Sequence, residues 1–270
     1  MNVNQKVIVV TGAGNGMGRE ATLELARRGA TIAAIDIDQH ALAETVALAA
    51  HNGSRISTHL VDITNLEQVT ALPEAVIARH GAVDGLINVA GIIHKFRKVN
   101  DLSYDEIHRV MNVNYFGTVH MVKEFLPHLL KRPEAQILNI SSMGGYLPVP
   151  GQTIYCSSKA AIKLFSEGLR AELAGTRVGV SVLFPGAIAT NISVNSGAMT
   201  AAEATALSAQ SAAVKTTPAD IAGKLIVGAF EGNPFHAFVG SDAKLMYWWG
   251  RLLPEGAAKM IQQQMASLLK

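Results

Sequence analysis

The chain has 270 residues, 49% of them hydrophobic and 16% charged, and 23 Lys and Arg stand against 21 Asp and Glu for a formal charge of +2. That composition excludes a disordered chain and a basic surface of the kind nucleic acid requires, while the length suffices to bury a large core. A single cysteine excludes an internal disulfide and fits a reducing, cytoplasmic setting, no uninterrupted apolar stretch reaches 18 residues, so no membrane span is expected, and Met1 lies too close to the first strand to leave room for a signal peptide.

Apolar periodicity predicts strands over 7–10, 31–35, 56–61, 86–88, 136–140, 179–183 and 237–239, and helices near 17–28, 38–51, 65–79, 103–131, 154–174 and 217–230. Such alternation predicts an α/β chain, a single Rossmann-like doubly wound domain over residues 1–270 with a seven-stranded, mostly parallel sheet and helices on both faces. No linker, repeat or low-complexity segment divides it. Ligands then bind beyond the carboxyl ends of the strands.

The first strand runs into Thr11-Gly12-Ala13-Gly14-Asn15-Gly16-Met17-Gly18, and a helical pattern follows at once. Strand, Gly-rich turn and helix present backbone N–H groups and a positive helix end to a pyrophosphate. The spacing is T-G-x-x-x-G-x-G on Gly12, Gly16 and Gly18, with Gly14 as an extra; it is not G-x-G-x-x-G. A tight connection would also explain these glycines. The second strand ends in Asp36, a carboxylate placed to accept from the adenosine ribose hydroxyls and to repel a 2′-phosphate. No Arg or Lys occurs at 37–39, and Asn15 sits where a basic residue would help to bind that phosphate, so NAD is expected over NADP. Capping of the next helix is a second role open to Asp36, and Asp38 can fill it as well.

Tyr155 and Lys159 are four apart and so share one helix face. A free phenol titrates near 10, and a cation beside it favours the phenolate. Of the five tyrosines only Tyr155 has a Lys at this spacing; Tyr247 has Arg251. Lys163, about 12 Å along the helix from Tyr155, is too far to serve. Cys156 reads as a packing residue, since no activating group is patterned around it. No metal site is expected.

These residues, in order and spacing, resemble the short-chain dehydrogenase/reductase family from about residue 6 to about 240. The matching segments are TGAGNGMG, the Asp of LVDIT, INVAG, MNVNYFG, NISSMGG, YCSSK and PGAIAT. One departure is Val89, where the family often has a second Asn before Ala-Gly. The resemblance implies that Tyr155 is the general acid/base, that Lys159 lowers its pKa and holds the nicotinamide ribose, that Ser142 hydrogen-bonds the substrate oxygen, and that Asn114 holds a water linking Lys159 to solvent. It puts Asp62 at the adenine, Asn88 at a strand end beside the adenosine, and Pro185, Gly186, Ile188 and Thr190 at the nicotinamide carboxamide. Asn15, Met17, Ile63, Ala90 and Gly91 fall along the cofactor with them. Ser141 competes with Ser142, and Asn112 with Asn114; only the family pattern selects between them.

The implied function is NAD(H)-dependent interconversion of a secondary alcohol and a ketone. Ile93, His94, Met143, Tyr146, Leu147 and Val149 are expected near the substrate. They are mainly apolar, which suggests a hydrophobic alcohol or ketone, steroid-like, cyclic or aliphatic. His94 is either a pocket donor or an exposed loop residue. Two other readings are a 3-oxoacyl-carrier-protein reductase, against which Asp36 argues because those usually take NADP, and a non-catalytic NAD-binding sensor or scaffold. A homodimer or homotetramer through the helices near 103–131 and 154–174 is the family's habit. Residues 191–215, rich in Ala, Ser and Thr, are expected as a lid, and the apolar tail 244–270 as packing, a substrate flap or a membrane-surface contact.

Overall fold

The β-branched runs form strands and the periodic segments form helices, much as alternation demands. The computed structural model describes residues 1–50, 55–200, 202–203 and 216–265. Its strands are β1 (Val7–Thr11), β2 (Thr31–Asp36), β3 (Arg55–Leu60), β4 (Gly85–Asn88), β5 (Ala135–Ile140), β6 (Val178–Pro185) and β7 (His236–Val239). They pair in parallel in the order β3-β2-β1-β4-β5-β6-β7. The chain builds outward from β1 to β3, then returns to lay β4 on the other side of β1. The order reverses there, and a crevice opens beyond the strand ends.

Helices α1 (Gly16–Arg27), α2 (Gln39–Ala49), α3 (Leu66–His80), α4 (Tyr104–Met111), α5 (Gly117–Leu129), α6 (Thr153–Glu172), α7 (Ala219–Gly232), α8 (Ser241–Leu252) and α9 (Pro254–Met265) complete the layers. Side chains alternate across a strand, so Ile8 and Val10 enter one core with Leu25, Ile226 and Phe230, while Val7 and Val9 enter the other with Met121, Phe125 and Leu129. β1, β4 and β5 are buried at every position, as a sheet covered on both faces requires.

The expected single helix over 103–131 is interrupted. Asn112–Phe116 widens into a π-helical turn between α4 and α5, a local form that often marks functional positions. Residues 201 and 204–215 of the expected lid lie outside the described residues; before them Ile192–Asn195 forms one helical turn. The tail folds as α8 and α9, and Met246, Ala257 and Ile261 pack with Leu147, Met143 and Tyr146 on the loop after β5. Packing is therefore the role that the structure gives the described part of the tail. No helix among the described residues is long and apolar enough to cross a membrane.

Candidate active site

The Gly-rich turn leaves β1 with Gly12 at φ +68° and Gly16 at φ +50°, left-handed conformations that favour glycine. Gly14, the extra glycine of the motif, has its own task. Its N–H donates to Asp36 Oδ2 at 2.9 Å, and the Asp38 N–H donates to Oδ1 at 3.1 Å. A Cβ at Gly14 would stand 2.8 Å from Ala41 Cβ and 2.9 Å from Asp36 Oδ2. The Asp36 carboxylate is thus held at the end of β2 by the turn itself, while Asp38 caps α2 through the N–H groups of His40 and Ala41. Capping of α2 thus falls to Asp38, not Asp36.

A cleft of about 710 Å³ opens at the β1/β4 switch point, within the ~300–1,000 Å³ of small-molecule and cofactor sites. Of the expected cofactor residues, Gly12, Asn15, Gly16, Met17, Gly18, Asp36, Asp62, Ile63, Ala90, Gly91 and Thr190 line it. Four others do not. Asn88 lies buried between β4 and β5, where Nδ2 donates to Asn139 Oδ1 at 2.9 Å. Pro185 ends β6, the Gly186 N–H donates to Val239 O at 2.9 Å, and Ile188 pairs with Thr217. Sequence reasoning missed Asp105, His108 and Arg109 of α4 and Val113 of the π turn; Asn112, weighed against Asn114, also lines the cleft, as do Asn195 and Ser196 from the start of the expected lid. Arg109 ties the two walls by donating to Ser196 O at 3.3 Å. The left-handed glycine turn, the fixed Asp36 and the volume of the cleft suit a dinucleotide.

β5 delivers Ser141 and Ser142 to the rim, and their hydroxyls diverge. Ser141 Oγ donates to Lys159 O at 2.7 Å, a structural bond. Ser142 Oγ accepts from the Gly144 N–H at 3.1 Å and hydrogen-bonds the Tyr155 phenol. Tyr155 and Lys159 share a face of α6, with Lys159 Nζ 6.0 Å from the phenol ring centre. The ammonium donates to Ile140 O at 3.0 Å. Asn114, fully buried in the π turn, clamps Ile92: Oδ1 accepts from its N–H at 2.8 Å and Nδ2 donates to its carbonyl at 2.9 Å, with a second bond to Ser158 Oγ. A Cβ at Gly91 would stand 3.1 Å from Lys159 Nζ and 3.2 Å from Asn114 Oδ1, so the bare glycine leaves room beside both groups. The structure brings together all four expected catalytic side chains.

Electrostatics correct one expectation. Burial raises the Tyr155 phenol to about 12, against the lowering by the Ser142 hydrogen bond, and burial lowers Lys159 to about 8. Desolvation outweighs the Ser142 hydrogen bond here. Near neutrality Tyr155 is a phenol and Lys159 is mostly an ammonium.

The six side chains expected near the substrate do not form one wall. The Ile93 N–H is held by Ser196 Oγ at the cleft, 3.1 Å away. His94 is buried, contrary to an exposed loop position. Tyr146 turns its hydroxyl to Ala243 O at 2.5 Å and packs edge-on against Phe184 and Tyr247; burial holds that phenol well above its usual value. Met143 and Leu147 meet the tail helices. Tyr146, Leu147 and Val149 together line a separate cavity of about 560 Å³ with Cys156, whose thiol is pushed upward by burial.

Comparison with known proteins accords with this geometry. Residues 6–201 match the family described as short chain dehydrogenase. SadH of Mycobacterium tuberculosis is 38% identical over 192 residues, which span 70% of this chain and 69% of SadH. A short chain dehydrogenase/reductase from Burkholderia phymatum, solved in complex with NAD, has a TM-score of 0.82 at 27% identity over 93% of this chain and 96% of its own. A short chain dehydrogenase from Burkholderia cenocepacia, solved in complex with NADP, has a TM-score of 0.77 at 28% identity over 100% of both chains.

Proposed function

The chain belongs to the short-chain dehydrogenase/reductase family of NAD(P)-dependent oxidoreductases, and on that premise we propose that it interconverts a secondary alcohol and a ketone on an apolar skeleton, with NAD(H) preferred over NADP(H). The observation that carries this is the Ser142–Tyr155–Lys159–Asn114 cluster opening beside Gly91. The dinucleotide, when bound, accepts or supplies the hydride. Ser142 Oγ positions the substrate oxygen against the Tyr155 hydroxyl. In reduction Tyr155 gives its proton to that oxygen, a task suited to a phenol held near 12. In oxidation it must first lose the proton, so the oxidative rate rises toward alkaline pH. Lys159 keeps positive charge beside the developing phenolate, and Asn114 fixes the Ile92 backbone that walls the pair.

Preference for NAD(H) rests on Asp36. Its carboxylate, immobilised by Gly14 and Asp38, suits ribose hydroxyls and opposes a 2′-phosphate. Exposed Phe116 and Leu164 on the α5 and α6 side suit a homodimer or homotetramer. The test is direct: incubation with NAD⁺ and a panel of secondary alcohols, followed by NADH absorbance. NADH formation supports the proposal. Tight NADH binding without turnover of any alcohol or ketone contradicts it in favour of a sensor.

A further inference from the structure

A dinucleotide brings a doubly charged pyrophosphate into the cleft at β1 and β4, yet the described residues lining that cleft include the carboxylates of Asp36, Asp38, Asp62 and Asp105. The Gly-rich turn meets the charge with neutral N–H groups and the end of α1. Arg19, the cation nearest to the turn in sequence, is committed elsewhere. Its guanidinium donates to Gly14 O at 2.8 Å and pairs with Glu44 at 2.8 Å, and it is not among the cleft-lining residues. Arg109 is the one Lys or Arg among the described residues that line the cleft. Its guanidinium bonds Ser196 O at 3.3 Å and forms no ion pair among the described residues, not even with Asp105 one helical turn before it. Its other N–H donors are left free, on a side chain open to solvent.

The segment between Arg109 and the turn sets their relation. Thr190 lies against the turn, since a Cβ at Gly16 would stand 3.4 Å from Thr190 Cγ2. The helical turn Ile192–Asn195 then leads to Ser196, which puts Ser196 at most about 13 Å from Thr190. Ser196 is 3% exposed and its Oγ accepts from the Ile93 N–H at 3.1 Å, so the carbonyl that holds Arg109 is itself held. Arg109 and Gly16 thus line one cleft and are joined by a short, anchored segment. Resting on the dinucleotide reading above, we propose that Arg109 is a cofactor-binding residue, which pairs with the pyrophosphate while one N–H stays on Ser196 O. The diphosphate then takes neutral donors from the glycine turn and a charged, planar fork from Arg109. An alcohol or ketone on an apolar skeleton brings no anion, so the dinucleotide supplies the partner that this guanidinium lacks.

The test is calorimetric binding of NADH and of ADP-ribose, which shares the pyrophosphate but lacks the nicotinamide, to the wild type, Arg109→Gln and Arg109→Lys. Gln keeps an N–H donor for Ser196 O and loses the charge, so a merely structural tie survives in it. In Arg109→Gln the Kd of both ligands should rise about tenfold, the worth of a hydrogen bond to a charged group. The wild-type Kd for NADH should also weaken with added NaCl, a dependence that Arg109→Lys keeps and Arg109→Gln flattens. Kd values within twofold of the wild type in Arg109→Gln, or a salt dependence that this variant leaves unchanged, overturn the pairing. A loss for NADH without one for ADP-ribose overturns it too, because the contact then lies on the nicotinamide half. Unchanged NADH binding with a raised KM for the alcohol or ketone assigns Arg109 to the substrate instead and refutes the proposal. A wild type that binds no NADH contradicts the parent reading and this one together, whereas the other adverse outcomes leave the parent reading standing.

Discussion

Lys159→Met separates what Lys159 does for the fold from what it does for chemistry. The ammonium is buried and its pKa is lowered to about 8 by desolvation alone, against an ordinary value near 10.4. Below pH 8 both folded and unfolded chains hold the proton, and the folded state bears the full cost of the buried charge. Between about 8 and 10.4 the folded state has released the proton while the unfolded chain keeps it, so wild-type stability rises with pH. At about 1.4 kcal/mol per unit, the wild type should gain on the order of 2–3 kcal/mol relative to Lys159→Met between pH 7 and pH 10. Packing changes and the lost bond to Ile140 O shift the difference by a constant and leave its slope untouched. Tyr155, raised to about 12, loses stability in the opposite sense only above pH 10, and does so in both proteins. Urea unfolding at pH 7, 8, 9 and 10 measures the difference. A difference that stays flat across that range would refute the claim that the ammonium is desolvated.

The remaining predictions concern the cofactor and the loop after β5. Asp36→Arg should move preference from NAD toward NADP, read as the ratio of kcat/KM for the two cofactors; an unchanged ratio removes Asp36 from its role. Gly14→Ala should displace the Asp36 carboxylate through the added methyl and weaken NADH binding about tenfold, the equivalent of one hydrogen bond, whereas an unaltered NADH Kd by calorimetry would show that the carboxylate needs no such anchor. Leu147→Ala removes the side chain under α8 and α9 and should cost about 2–4 kcal/mol in urea unfolding; a cost below about 1 kcal/mol would mean that the tail does not brace this loop.

Much of the fold was legible because a doubly covered parallel sheet writes a simple pattern. Each expected strand lies within two residues of an observed one at either end, Gly12, Gly16, Gly18 and Asp36 line the cleft, and the cluster of Ser142, Tyr155 and Lys159 lies beside it at Gly91. What escaped the sequence depends on contacts between distant segments. The helix period continues through 112–116, but Asn114 satisfies the backbone of Ile92, 22 positions away, and the turn widens to reach it. Gly14 looked superfluous until Asp36 and Ala41 were seen against it. Arg109 carries no motif; only the fold brings it to Ser196. The same holds for His94, which the sequence leaves as a pocket donor or an exposed loop residue and which the fold buries. The tail's apolar content announced packing, but not which surface it covers. Charge logic erred in one place: helix spacing predicts a cation beside a phenol, whereas the depth of burial that raises the phenol and lowers the amine is a property of the assembled core.

The account stands on Tyr155 as the group that moves the substrate proton. Replacing its hydroxyl by hydrogen, Tyr155→Phe, removes one atom from a half-buried ring and leaves the Gly-rich turn and Asp36 untouched. Steady-state turnover of the best alcohol should drop at least 10²-fold, within the range of ~10²–10⁴ that a positioned acid/base contributes, while the NADH Kd stays within about twofold. A variant that retains most of its rate, with NADH bound as before, would contradict the assignment outright.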